Sequence, residues 1–198
     1  MRTLCLRRWF TALCTPIPAA LAAPAYAGHG DIAGLGDGIL HVTSGVVPMI
    51  AAVAVGIWGM ANPWRRGWLL PVAFVAAMAA GAFAGLGRPR EEIAGAMVVA
   101  SLVVLGALIL RAKAFSVPGA VVICLAFGAV HGYVHGTEAG TSGDTTAYVA
   151  GLAIATAVLH VAGMALGLML RLASRYGLRA AGALVAIAGL WFATGLVR

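Results

Sequence analysis

Six long apolar runs constrain this chain more than any other feature of its sequence. Each run is close to the roughly 20 residues that a helix needs to cross the hydrocarbon core of a bilayer. With 62% hydrophobic and 10% charged residues, the chain has too few polar groups to cover a soluble surface. The sequence therefore predicts an all-α fold, a polytopic membrane helix bundle with six transmembrane helices at 40–60, 68–86, 93–110, 117–134, 147–170 and 178–197.

The first 27 residues differ from the rest and predict a cleaved signal peptide. Three arginines stand within the first eight residues, a short apolar stretch follows, and Ala25-Tyr26-Ala27 has the small-x-small pattern of a cleavage site. Pro16 and Pro18 disfavour a stable spanning helix there. The alternative is an uncleaved first helix. We expect residues 1–27 to be the signal and residues 28–198 to form one six-helix transmembrane domain.

The charges between the apolar runs alternate, and this predicts an orientation. After cleavage the chain keeps 10 of its 13 basic residues and all 6 acidic ones, a net charge of +4. Basic residues dominate loops one, three and five, whereas the mature N-terminus and loop four carry acidic residues and no Lys or Arg. The positive-inside rule then predicts a bacterial inner-membrane protein with both mature termini in the periplasm. A basic balance of this kind reflects cytoplasmic loops, so we expect no nucleic-acid partner.

The strongest functional signal is the segment His131-Gly-Tyr-Val-His135-Gly-Thr-Glu138, at the end of the fourth apolar run. Two histidines four apart share one face of a helix, and the glutamate follows three residues later. Ionisable groups at the end of a membrane helix usually mark an ion path, and imidazole with carboxylate suits a divalent transition metal. The C-terminal end of a helix also favours a cation. The alternative is a polar helix end wetted by solvent.

The remaining histidines fall in the same half of the predicted membrane protein. His29 lies in the exported N-terminal segment, His41 at the outer end of the first helix, and His160 near mid-membrane in the fifth. This distribution predicts one metal site that is open to the outside, with His160 as its deepest residue. The alternative for His160 is a hydrogen bond to a neighbouring helix.

Glycines give two further expectations. Those at 34, 36 and 38 predict a loop around Asp37, which leaves open whether Asp37 is a ligand beside His41. Glycines four residues apart on the fourth and fifth helices predict close packing between helices. Cys124 is expected to be a buried, packed thiol, and the alternative is a soft metal ligand deeper in an ion path. The closely spaced glycines are Gly128, Gly132, Gly136, Gly163 and Gly167.

Three blocks of residues resemble the HupE/UreJ family of bacterial membrane proteins. The segment His131–Glu138 is similar to that family's His-Gly-x-Ala-His-Gly-x-Glu. A second block runs from Tyr148 to Gly163 and includes His160. The third comprises the predicted signal, His29, His41 and Ala54-Val55-Gly56-Ile57-Trp58. Together the blocks cover nearly the whole mature chain.

The resemblance implies an accessory membrane protein of hydrogenase or urease maturation, of a kind regarded as nickel or cobalt permeases. The expected cargo is therefore nickel first and cobalt second, although the ligand chemistry alone would also suit copper or zinc. The expected partners are this metal ion and the lipid bilayer. No arrangement of nucleophile, base and acid points to an enzyme. The predicted metal ligands are His131, His135, Glu138, His160, His41 and His29.

One block departs from the family pattern of His-Pro, then Gly, then Asp-His. Aligned without gaps, the Asp-His positions hold Val47 and Pro48, which cannot bind a metal. This departure favours a second hypothesis, a non-transporting accessory subunit of a larger membrane complex or homo-oligomer that keeps the fold. A third hypothesis is haem ligation by histidines on facing helices.

Overall fold

The structure, a computed structural model, describes residues 34–61, 66–112, 115–139 and 143–196. Within these ranges the regular structure is entirely helical, which confirms the predicted all-α class. Long runs rich in Ala, Leu and Val favour this outcome, since only helices satisfy all backbone groups of an isolated span in lipid. The helices are α1 (Leu35–Ser44), α2 (Val46–Ala61), α3 (Leu69–Gly85), α4 (Glu92–Arg111), α5 (Val117–Glu138), α6 (Thr145–Ala173) and α7 (Gly177–Leu196).

The described helices make the chain a multi-pass membrane protein. Four of them, α4 to α7, are long and apolar enough to cross a bilayer, and α1 with α2 would make a fifth, bent span. Helix α3 has 17 residues, which is about 26 Å at ~1.5 Å per residue and a little short of a typical hydrocarbon core. The count of six spans stays a prediction. The signal peptide at 1–27 and His29 lie outside the described residues.

The first apolar run is two helices, so the prediction of one continuous helix over 40–60 is wrong. The chain breaks at Gly45, and α1 and α2 meet at 85°. The predicted loop around Asp37 is also wrong, because α1 contains both Asp37 and His41. A Cβ at Gly38 would collide with the carbonyl oxygen of Tyr148 in α6. That glycine therefore permits close helix packing instead of forming a turn.

Close approaches at glycine hold the bundle together, as the four-residue spacing predicts. Helix α5 lies so near α3 that a Cβ at Gly132 would overlap the carbonyl oxygen of Met78. Helix α6 lies equally near α2, where a Cβ at Gly163 would overlap the carbonyl oxygen of Val53. Without a hydrophobic driving force between helices in lipid, such backbone proximity is a main source of packing energy. Similar approaches occur at Gly128, Gly136 and Gly167.

Helix α5 continues past the end of its apolar run, and this extension positions the candidate site. It ends at Glu138, so His131, His135 and Glu138 lie on one continuous helix and share one face, as predicted. The start of α6, the loop between α3 and α4, and α1 all contact this end of α5 or one another. This helix end thus gathers groups from four parts of the chain.

Candidate metal centre

Two histidines and a glutamate from two helices meet at the end of α5. His41 of α1 places its Nε2 atom 3.0 Å from Oε2 of Glu138. The rings of His41 and His135 are in edge-to-face contact, with centroids 4.9 Å apart. Each of these three side chains offers one ligand atom such that all three atoms lie within 4.8 Å of one another. We call His41, His135 and Glu138 the outer cluster.

The outer cluster is close to the surface yet mostly shielded from it. The side chain of His41 is 19% exposed and that of Glu138 is 9% exposed. His135 is buried, and its Nδ1 atom has no hydrogen-bond partner among the residues that the structure describes. A buried polar atom without a partner costs free energy unless something else satisfies it. His135 therefore brings to the outer cluster a ring nitrogen whose lone pair or N–H is unsatisfied, and binding of an ion by His135 would relieve this cost.

Tyr148 of α6 closes one side of the outer cluster. Its ring packs against His41, with centroids 5.9 Å apart, and its hydroxyl lies 3.5 Å from the carbonyl oxygen of His135, the long limit of a hydrogen bond. The neighbouring helix start is fixed because Asp144 accepts a hydrogen bond from the amide of Ala147, an N-terminal cap. Helix α6 thus packs against the ring of His41 and contacts the backbone of His135.

A positive charge already faces the outer cluster. Arg90, from the loop between α3 and α4, places a guanidinium nitrogen 3.4 Å from Oε1 of Glu138. The distance is short enough for an ion pair. The geometry is not that of a hydrogen bond, and Oε1 has no hydrogen-bond partner among the described residues. Both carboxylate oxygens of Glu138 therefore face a nitrogen atom, His41 on one side and Arg90 on the other.

His131 lies one turn before His135 on α5 and contacts a different helix. Its Nε2 atom is 2.9 Å from the hydroxyl oxygen of Ser101 in α4, and both residues are buried. The ring of Phe74 in α3 packs against His131, with centroids 5.4 Å apart. His131 is thus placed beside the outer cluster but is not one of its three residues.

His160 is the most enclosed of the predicted ligands, at 0% exposure in the middle of α6. Its ring lies against the same Phe74, with centroids 5.2 Å apart. Neither of its ring nitrogens meets hydrogen-bond geometry with any described residue. The sequence-based alternative of a hydrogen bond to a neighbouring helix is therefore not found among those residues. The shared contact with Phe74 makes His131 and His160 an inner pair.

Val47 and Pro48 occupy the start of α2. Val47 is 2% exposed and packs in an apolar cluster with Val98, Leu102 and Val134. Two of these, Val98 and Leu102, flank Ser101 on α4. Pro48 is the third residue of α2, directly after the break at Gly45, where an amide N–H has no helical acceptor and a proline is therefore tolerated.

Sequence patterns do not point directly to Ser101, Arg90 and Phe74. Ser101 carries one available signal, because it is the only polar residue between Glu92 and Arg111. Arg90 stands in a loop of mixed charge that gives no indication of its partner. Cys124 is buried in the apolar core with no disulfide, as the expectation of a packed thiol requires.

Comparison with known proteins gives one clear relationship. The sequence model of a family described as HupE / UreJ protein matches residues 13–192. The chain is 37% identical over 179 residues to Protein HupE of Rhizobium leguminosarum bv. viciae, in an alignment that covers 86% of this chain and 92% of that protein. No solved structure matches the chain.

Proposed function

We propose that this chain, which belongs to the HupE/UreJ family, takes a divalent transition metal ion from outside the inner membrane and carries it into the bilayer. Membership puts the chain among accessory membrane proteins, as the absence of any catalytic arrangement in the sequence predicts, and not among enzymes. The metal is the cargo. The observation that carries the proposal is the outer cluster of His41, His135 and Glu138.

The spacing of the outer cluster supports an ion at its centre. Two ligands on one ion, each bound at roughly 2.0–2.2 Å, lie no more than about 4.4 Å apart. The three ligand atoms here lie within 4.8 Å of one another, so a small side-chain rotation would bring all three onto one ion. Two imidazoles and a carboxylate suit nickel, cobalt, copper or zinc far better than magnesium or calcium.

Binding at this cluster would exchange protons for the metal. His41 and Glu138 lie 3.0 Å apart through a nitrogen and an oxygen, so one proton bridges them. A metal ligand must offer a lone pair, so Nε2 of His41 has to lose the bridging proton when the ion enters: an imidazolium releases this proton to water, whereas a neutral ring regains a proton on Nδ1. No other bond needs to break at His41, since the same Nε2 atom can turn from the carboxylate to the ion.

The inner pair supports a route past the outer cluster. His131 is one helical turn from His135, and His160 presents two buried ring nitrogens that meet no described partner. Phe74 contacts both inner rings, and both histidines are buried. A partly dehydrated ion would find imidazole ligands at each step, which lowers the cost of leaving water.

Nickel is the first cargo that we propose, and cobalt is the second. The mature termini and the outer cluster are proposed to face the periplasm, because the loops at the opposite end carry the excess of Arg and Lys. The haem hypothesis receives no support from the outer cluster. The rings of His41 and His135 touch edge to face at 4.9 Å, so a macrocycle does not fit between them.

Metal uptake into sealed proteoliposomes tests the function. We expect the purified full chain to bind Ni²⁺ and to load an internal metal indicator at least several-fold faster than protein-free vesicles. The rate of uptake should saturate as the Ni²⁺ concentration rises, because the ions pass through a limited number of binding sites. Leakage controls use vesicles with protein whose His135 is changed to Ala.

The accessory-subunit hypothesis predicts a different result in the same experiment. It is favoured by buried Val47, which fills a family ligand position with an apolar group. It also agrees with an apolar face on α7 that could meet lipid or a partner protein. Binding of Ni²⁺ without any uptake, or no binding at all, would favour this hypothesis over transport. The exposed residues of that face are Leu184, Ile187, Leu190 and Trp191.

Arg90 gives a prediction about affinity. Its guanidinium competes with the cargo for the charge of Glu138, so the change Arg90→Gln should tighten Ni²⁺ binding by roughly tenfold, about 1.4 kcal/mol. The gain should be largest at low salt, because Arg90 is 40% exposed and screened by ions. Isothermal titration calorimetry at two ionic strengths measures both quantities.

Arg88 provides the matched control for this experiment. It stands two residues earlier in the same loop and is exposed, so Arg88→Gln removes the same charge without touching the ion pair of Glu138 that the structure records. An equal gain in the two variants would show a general effect of net charge. Weaker binding in Arg90→Gln would mean that Arg90 orients the carboxylate for the metal.

A further inference from the structure

Ser101 makes two hydrogen bonds from one buried hydroxyl group. Its oxygen lies 2.6 Å from the carbonyl oxygen of Val98, one turn earlier on α4, and 2.9 Å from Nε2 of His131 on α5. Ser101 is 0% exposed and His131 is 3% exposed, so bulk water does not compete for either contact. Ser101 belongs to none of the motifs that indicate metal binding.

Counting protons assigns a direction to both hydrogen bonds. A serine hydroxyl has one proton, and a carbonyl oxygen can only accept. Two oxygen atoms 2.6 Å apart require a proton between them, because this distance lies within the range of O–H···O bonds. The proton of Ser101 therefore points to Val98, and the hydroxyl oxygen can serve His131 only as an acceptor.

His131 must then carry its proton on Nε2. The nitrogen–oxygen distance of 2.9 Å agrees, since it equals the most common length of N–H···O bonds. A neutral imidazole has one N–H and one lone pair, so the lone pair is on Nδ1. The opposite arrangement would leave the carbonyl oxygen of Val98 facing another oxygen without a proton.

We propose that Ser101 is a positioning residue that fixes His131 as the Nε2–H tautomer, so that His131 offers Nδ1 as its metal-ligating atom. The first half of this proposal, the Nε2–H tautomer, concerns the protein without metal. The second half, metal ligation through Nδ1, rests on the proposed function, since it needs His131 to be a ligand. A residue that hydrogen-bonds the non-ligating ring nitrogen of a metal-bound histidine typically contributes 10–100-fold to metal affinity, because it fixes the tautomer and the ring orientation.

Nitrogen NMR of the wild-type chain in lipid bilayers tests the first half directly. With all five histidines ¹⁵N-labelled, the signals of His131 are assigned by their loss in a His131→Gln sample. We expect a protonated Nε2 and an unprotonated Nδ1 in the metal-free protein. A proton on Nδ1, or signals averaged between the two tautomers, would overturn the proposal without any Ser101 variant having to fold.

Variants of Ser101 test the second half. Ser101→Ala should weaken Ni²⁺ binding by roughly 10–100-fold and allow the His131 signals to average, whereas Ser101→Thr keeps the hydroxyl and should restore both. Ser174→Ala, at an exposed turn after α6, is the control for the loss of a hydroxyl elsewhere.

The outcomes separate this proposal from the proposed function. If the tautomer is as expected but Ser101→Ala binds Ni²⁺ as tightly as the wild type, His131 is not a ligand and the second half fails. If the wild type binds no metal, the proposed function fails while the tautomer result still decides the first half. Weaker binding in Ser101→Ala with an unchanged tautomer would assign Ser101 a packing role and contradict the proposal.

Discussion

Replacing His135 with alanine should lower the affinity for Ni²⁺ by more than roughly 100-fold. Residues that only hydrogen-bond a metal ligand already contribute up to about 100-fold, and the loss of a ligand itself should cost more. His135 is buried, has an Nδ1 atom that meets no described hydrogen-bond partner, and offers a ligand atom within 4.8 Å of those of His41 and Glu138. Losing it leaves two ligands for one ion. Calorimetric titration with Ni²⁺ measures the effect, and thermal unfolding without metal shows whether the variant still folds.

The three ligands of the outer cluster should act as a unit. We expect His41→Ala and Glu138→Gln each to cause a large loss, and the double change His41→Ala with His135→Ala to add little to either single change, because groups that share one ion are not additive. Tyr133→Phe is the matched control, since Tyr133 lies on α5 between His131 and His135 but is outside the cluster. Additive losses, or wild-type binding in the double variant, would contradict a shared ion.

The helical spacing of α5 could be read from the sequence, and it gave the core of this site. Residues four and three apart on one apolar helix must share a face, so His131, His135 and Glu138 follow from local geometry alone. His41 could be assigned only through the predicted topology, which places it at the same end. Its 3.0 Å contact with Glu138 depends on the fold of α1 against α6.

Local patterns failed where tertiary packing gives a residue its role. Gly38 has the appearance of a loop residue, but it allows α1 to lie against the backbone of α6. The long apolar run at 40–60 has the length of one span, but it turns by 85° at Gly45. The length and hydropathy of an apolar run do not show whether the helix axis changes direction within it, so neither property distinguishes a straight helix from two helices joined by a bend.

Contacts between distant residues were also beyond the sequence. Ser101 and His131 are separated by 30 positions, and His41 and Glu138 by 97. A single serine in an apolar helix, or an arginine in a loop of mixed charge, has no periodic pattern that identifies its partner. These side chains acquire meaning only when α4, α5 and the loop before α4 are brought together.

Placing aspartate at position 47 should destabilise the metal-free protein by roughly 3 kcal/mol or more, because the position is buried and the new carboxylate has no partner. Val47 is 2% exposed and packs against Val98, Leu102 and Val134. The change Val47→Asp alone should therefore lower the temperature of unfolding. Pro48→His should have little effect on helix stability, since position 48 lies in the first turn of α2.

Nickel should reverse this loss if the metal passes beside position 47. The double variant Val47→Asp with Pro48→His supplies the carboxylate and imidazole of the family pattern, and we expect it to bind Ni²⁺ more tightly than the wild type. A ligand at a thousand times its dissociation constant stabilises the folded state by about 4 kcal/mol, enough to restore the melting temperature. Differential scanning fluorimetry with and without Ni²⁺ measures this.

The variant Val98→Asp makes the rescue specific. Val98 is 4% exposed and belongs to the same apolar cluster, so an aspartate there carries the same desolvation cost, but it occupies no ligand position of the family. Both aspartate variants should unfold more easily without metal, and only the variant at 47 and 48 should recover with Ni²⁺. If Ni²⁺ raises the melting temperature of neither aspartate variant, although both fold, no ion reaches this part of the bundle. The apolar start of α2 would then be a packing surface, and the accessory-subunit hypothesis would explain why this chain keeps the outer cluster but lacks the Asp-His pair of the family pattern.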